Sequence, residues 1–135
     1  MPRKLEYKRK IFGYECDVYG HLNNANYLHI YEEARADALE QMQIPIRELA
    51  EIGYHIYLTN IELEFIKGLP LESKVTIRSH IEKSNRLQST WIQEIYNEAE
   101  EICSSAVVKG AFVKNGKPTR ISKELYKVFQ LNSQE

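Results

Sequence analysis

Between positions 16 and 35 the chain concentrates side chains that can do acid–base or nucleophilic work: Cys16, Asp17, His21, Asn23, Asn24, His29, Glu32 and Arg35. Asp17 lies seven residues before Asn24, where a helix is expected to start. The first amides of a helix have no partner within it and sit at its positive end. Donors near Asn24 and Ala25 could therefore hold a carbonyl oxygen as it gains charge. Asp17 beside them would attack that carbonyl or activate a water. Gly20 lets chain and ligand approach closely. Asp17 and Asn24 acting simply as helix caps is the commoner use of such residues, and the loop alone favours it.

His21 has two roles of equal weight. It could orient Asp17 or the carbonyl, or titrate as a partner acid, or it could satisfy backbone groups of its own loop. Asn23 and Asn24 organise the turn through side-chain-to-backbone bonds. Cys16 invites a thiol-nucleophile reading, yet neighbours in an extended chain diverge, so Cys16 is assigned to packing. His29 and Glu32 have helical spacing but no third ligand, and no metal site is predicted. Glu32, three residues before Arg35, is expected to pair with it, because a lone buried guanidinium is costly.

The elements that must place these groups follow from periodicity. Residues 5–12 alternate Leu5, Tyr7, Arg9 and Ile11 against charged neighbours, a strand. Residues 13–24 have no period and form a loop. Residues 25–43 hold neither Gly nor Pro and read as a helix of about nineteen residues, roughly 28 Å long, with Asn24 as N-cap. Its apolar face holds Tyr27, Leu28, Tyr31, Ala34, Ala38, Leu39 and Met42, with Arg35 inside the stripe; His29, Glu33, Ala36 and Glu40 fall opposite. Residues 54–66 place apolar residues at even and then at odd positions, so a bulge or bend is predicted at Thr59–Asn60. Residues 74–82, 87–96 and 102–113 are further strands, with His80 facing outward from the first of them. Asn115–Gly116 marks a tight turn, and 122–130 is a short helix capped by Ser122.

Size and charge exclude several functions. The chain has 135 residues, 43% apolar and 27% charged, with a net charge of −1, and is read as a single domain over 1–135. No basic stripe points to nucleic acid, and no apolar run approaches a membrane span. With no secretory signal and two thiols at unrelated positions, the expected compartment is the cytoplasm.

The run Asp17-Val18-Tyr19-Gly20-His21-Leu22-Asn23-Asn24-Ala25-Asn26-Tyr27, followed by Tyr31-Glu32-Glu33-Ala34-Arg35, resembles hot-dog-fold thioesterases of the 4-hydroxybenzoyl-CoA thioesterase type. Residues 58–65 (LTNIELEF) resemble the family's second strand, and Asn115-Gly116-Lys117-Pro118 its closing turn. The resemblance implies an α+β hot-dog fold, an antiparallel five-stranded sheet curled around one long central helix. It implies hydrolysis of an acyl-CoA or acyl-carrier-protein thioester without cofactor. Asp17 is then nucleophile or base, with His21, Asn24 and, in reserve, Glu32 as further catalytic candidates. Gly20, Asn23, Ala25 and Tyr27 are set against substrate, and Lys67 and Arg86, with Lys109, are surface cations available to its phosphates. It also implies a homodimer or homotetramer. The basic first strand blunts one sheet edge, whereas 54–66 is long, apolar and open to a second copy. The rival functions are a hydratase or dehydratase on acyl thioesters and a module that binds them without turnover.

Overall fold

The computed structural model describes residues 4–133. Strand β1 (Leu5–Lys10) is followed by a 3-10 turn (Gly13–Glu15) and helix α1 (Asn26–Gln41), then a short helix α2 (Ile46–Glu51). Strands β2 (His55–Phe65), β3 (Lys74–Ser84), β4 (Gln88–Tyr96) and β5 (Ile102–Lys114) follow, then a two-residue β6 (Lys117–Pro118) and helix α3 (Lys123–Leu131). The main sheet is antiparallel in the order β1-β3-β4-β5-β2, with β6 added to β5. It therefore has six strands where five were expected. The sixth is the return of the Asn115–Gly116 turn, whose residues both take positive φ (53° and 74°).

Helix α1 buries Tyr27, Ile30, Tyr31, Ala34, Ala38 and Leu39 against the sheet. Leu28, expected on this face, is instead exposed, and Ile30 takes its place. Leu28 and Leu39 lie on the same side of the helix. Near Leu39 that side is covered by α2 through Leu49, whereas Leu28 is left 44% exposed among the described residues. Val75, Ile77 and Ile81 of β3 face inward as their alternation predicts. His80 points to the other face and is half-buried rather than solvated.

The parity flip in β2 is a bulge. Leu58 pairs with Gly110 and Asn60 with Lys109, so Thr59 is the extra residue. Among the described residues β2 pairs only with β5 and its outer edge has no strand beside it, with Tyr57, Leu58 and Phe65 all about half exposed. Ser122 caps α3 by accepting from the Leu125 amide at 3.1 Å. No helix among the described residues is long and apolar enough to cross a membrane.

Candidate active site

Asp17 begins a tight turn that its own side chain holds. Its Oδ1 accepts from the Tyr19 amide at 2.9 Å and the His21 amide at 3.4 Å, while the Gly20 amide donates to its carbonyl at 3.1 Å. Gly20 has φ 79°, a left-handed conformation that explains a glycine here. With Oδ1 committed to the backbone, Oδ2 has no hydrogen-bond partner among the described residues. The turn is pinned from both sides. The Leu22 amide donates to Leu69 O at 2.8 Å and the Leu71 amide to Gly20 O at 3.0 Å.

Asn24 is not the helix cap. Helix α1 starts at Asn26 with Ala25 as its N-cap and no side-chain cap, and the Asn23 side chain instead closes the turn before it, its Oδ1 accepting from the Ala25 amide at 2.9 Å. The Asn23 carbonyl takes the Asn26 amide at 2.9 Å. Ala25 is therefore not a free donor. The Asn24 amide is, with no acceptor among the described residues, and its side chain is exposed. Asn24 is not the cap because the helix starts two residues later, at Asn26.

An ion cluster holds this corner to the sheet. Arg9 pairs through Nη2 with buried Glu15 and through Nη1 with both oxygens of Glu33, at 3.0 and 3.1 Å. Tyr7 adds a hydroxyl donor to Glu33 at 2.9 Å. The Glu15 carbonyl accepts from the Asn23 amide at 2.9 Å and the Asn26 side-chain amide at 2.8 Å. Strand β1, the turn at 15–23 and α1 are thereby one unit. Glu33 is thus not a solvent-side residue, as the helical wheel placed it.

His21 reaches neither carboxylate oxygen with its ring. The imidazole lies on Gly68, where an added Cβ would come within 3.0 Å of Cδ2. It lines a shallow depression of about 470 Å³ with Lys67, Gly68 and Lys74. Lys67 is engaged with Glu101 at 2.8 Å, an exposed pair that raises the ammonium's pKa and lowers the carboxylate's. Arg86 lies past the other end of β3, its Nε on Ile121 O at 2.8 Å, away from this corner of the chain. Its role within one chain is to close the β3–β4 turn onto the segment before α3.

Tyr27 is buried, its ring edge-on to Phe65 with centroids 4.9 Å apart. Burial, then the neighbouring Cys103 and Asp17, push its hydroxyl pKa up. Cys16 is half-buried, and burial followed by Asp17 and Glu15 raises its thiol, which argues against a thiolate nucleophile.

Glu32 and Arg35 form no ion pair, contrary to expectation. Glu32 is exposed. Arg35 instead donates from Nη1 to Gln93 Oε1 at 2.9 Å. Gln93 is fully buried, its Nε2 held by Tyr31 O at 3.1 Å and Ser79 Oγ at 3.0 Å, so its oxygen can only face Arg35. Sequence gave a faint signal for it: Gln93 occupies the inward parity of β4 between Trp91 and Ile95. Glu32 and Arg35 line a cleft of about 300 Å³ with Leu39, Leu49, Trp91 and Val108, between α1, α2 and the sheet. Its mouth is the exposed His55–Leu58 end of β2. The cleft lies along α1 from Asp17, which does not line it.

A curled antiparallel sheet on one long helix, with an acidic turn at the helix's N-terminal end, defines a hot-dog-fold thioesterase architecture. Residues 13–129 match the family model of the thioesterase-like superfamily, and the chain belongs to that family. It is 31% identical over 100 residues to the long-chain acyl-CoA thioesterase FadM of Escherichia coli, covering 73% of this chain and 75% of that protein. It is 28% identical to a putative esterase of Aquifex aeolicus over 92% of this chain and 96% of the other. Among solved structures, a DHNA-CoA thioesterase from Staphylococcus aureus superposes with a TM-score of 0.89 at 21% identity, over 95% of this chain and 89% of that one.

Proposed function

We propose that this chain hydrolyses an acyl-CoA thioester to a free acid and CoA, with Asp17 as base or nucleophile. The carrying observation is the Asp17 carboxylate itself: Oδ1 accepts from two backbone amides, and neither Oδ2 nor the Asn24 amide at the positive end of α1 has a partner among the described residues. As base, Asp17 takes a proton from water, whose oxygen adds to the acyl carbon. The Asn24 amide holds the carbonyl oxygen as it becomes negative. Collapse expels the CoA sulfur, which takes the proton from Asp17. As nucleophile, Asp17 would displace the same thiolate to give an anhydride that water then opens, and the products are identical. The thioesterase relative at 31% identity supports a CoA thioester over a carrier-protein one.

The site is completed by a second copy. A two-fold axis beside the open edge of β2 pairs two such strands antiparallel. The cleft end of one strand, at His55–Leu58, then meets the Phe65 end of the other, which lies against Tyr27 at the foot of the Asp17 turn. The acyl group would enter the cleft of one protomer and its thioester would face Asp17 of the other. Thiol release from a panel of acyl-CoA thioesters tests the function. Turnover of any member with one thiol released per acid formed supports it. A hydratase or a binding module releases none, and that result would overturn it.

A further inference from the structure

Arg35 is a cation without an anion. Among the described residues its one hydrogen bond is to Gln93, and no carboxylate lies at ion-pair distance. Burial pulls the guanidinium pKa below its ordinary value, and Glu32's charge pushes back without making contact. A guanidinium carries five donors in a rigid fork. Gln93, locked from behind by Tyr31 and Ser79, takes one and fixes the fork's orientation. The remaining nitrogens are not sealed in the core, because no fully buried side-chain nitrogen or oxygen lacks a partner among the described residues. Arg35 lines the cleft, whose other walls are largely apolar: Leu39, Leu49, Trp91 and Val108.

A pocket meant for a plain hydrocarbon has no use for a charged, oriented donor in its wall, and leaving such donors unpaired when a ligand enters is costly. We infer that Arg35 is a specificity-determining residue, and that the cleft takes an acyl group carrying a neutral oxygen, oxo or hydroxyl, along its chain. A carboxylate would be the obvious partner for a guanidinium, but Glu32 lines the same cleft. Glu32 makes no contact with the guanidinium, yet its negative charge in the cleft wall repels a second carboxylate and leaves a neutral acceptor undisturbed. The inference rests on the proposed function for its substrate class, and on the cleft alone for its chemistry.

The test is selectivity. A positional series of hydroxydecanoyl-CoA thioesters is compared with decanoyl-CoA, using kcat/KM ratios rather than absolute rates. One position should be favoured by about tenfold or more, the range of a hydrogen bond to a charged group. In Arg35→Met that ratio should fall to one or below. A flat series in the wild type, or a preference that survives in Arg35→Met, would overturn the inference. Should Arg35→Met not fold, Gln93→Glu is the substitute. Its carboxylate claims the guanidinium, and the ratio should likewise fall. If the wild type releases no thiol from any member, the hydrolase reading fails on its own. Arg35 is then judged by thermal shift with the free acids, in which one hydroxydecanoate of the series must raise Tm more than decanoate in wild type but not in Arg35→Met.

Discussion

Arg9 donates from Nη1 to both carboxylate oxygens of Glu33, at 3.0 and 3.1 Å, and so ties the first strand to the middle of the long helix. Its other end reaches Glu15, which is almost wholly buried, its side chain 5% exposed. Removing the cation would strand a buried carboxylate. Arg9→Met should therefore cost about 3 kcal/mol. That corresponds to a fall in Tm of about 10 °C in thermal denaturation. Glu33→Gln should cost under about 1 kcal/mol, because Glu33 is partly in water and its amide oxygen still accepts from Arg9 and Tyr7. Equal losses for the two variants would mean the cluster is not organised around Glu15.

Asp17→Asn keeps the oxygen that caps the Tyr19 and His21 amides and removes the charge. The turn should hold, with Tm unchanged within a degree or two, while kcat falls by about 10²-fold or more. Thiol release at saturating substrate and a melting curve on the same preparation check both halves. Wild-type turnover by a folded Asp17→Asn protein would move the base to Glu32.

Gln93 joins a guanidinium, a buried hydroxyl and a helix carbonyl. Gln93→Leu leaves all three short of a partner and should cost about 2–4 kcal/mol by chemical denaturation. Arg35→Met leaves a single amide oxygen short and strands no carboxylate, since Glu32 is in solvent, so it should cost only about 1 kcal/mol. The reverse ranking would show that Arg35, not Gln93, is the structural member of the pair.

His80 sets an acid limit. Burial, then Lys4, holds its imidazole below the ordinary 6.5, against opposing pulls from Glu94 and Glu82. The folded chain thus binds this proton less readily than the unfolded chain, and acidification favours unfolding. The contribution is complete above pH 6.5 and is lost as pH falls through and below that value. Tm measured from pH 7.5 to 5.5 should drop less in His80→Gln than in wild type. Parallel curves would discount His80.

If the site spans two copies, specific activity should fall on dilution in step with loss of the dimer. Sedimentation and initial rates over one dilution series decide this. Full activity in a monomer would place a complete site in one chain.

What the sequence disclosed was local. Alternation, the Asn-Gly turn and the Ser122 cap depend on neighbours a few residues apart, and each element formed where its pattern lay. The bulge was legible because a change of parity is itself a local signal. The cap was misplaced because an Asn before a helical pattern reads as a cap, whereas here Asn23 closes the preceding turn and α1 starts after Ala25 with no side-chain cap. Arg35 was assigned to Glu32 by spacing, yet its partner is Gln93, 58 residues away. Arg9, Glu15 and Glu33 likewise meet only in three dimensions. The hint was an arginine at the inward parity of a segment whose other inward residues are buried Leu5, half-buried Tyr7 and, just past the strand, buried Ile11.

Thr59, the extra residue of β2, inverts the phase of that strand halfway along its length. One continuous segment can therefore line the cleft with Tyr54 and Ile56 and still turn Phe65 inward to meet Tyr27. Ile56 and Leu58 before it and Ile61, Leu63 and Phe65 after it stand opposite Phe112, Gly110, Val108, Ala106 and Ser104 of β5, all on one face. Deleting Thr59 would leave those apolar residues in unbroken alternation, so both halves could keep that face while the local bend and added twist of a bulge were lost. A single residue with no chemistry of its own thus sets the angle between the ligand-lining half of the strand and the half that supports Tyr27.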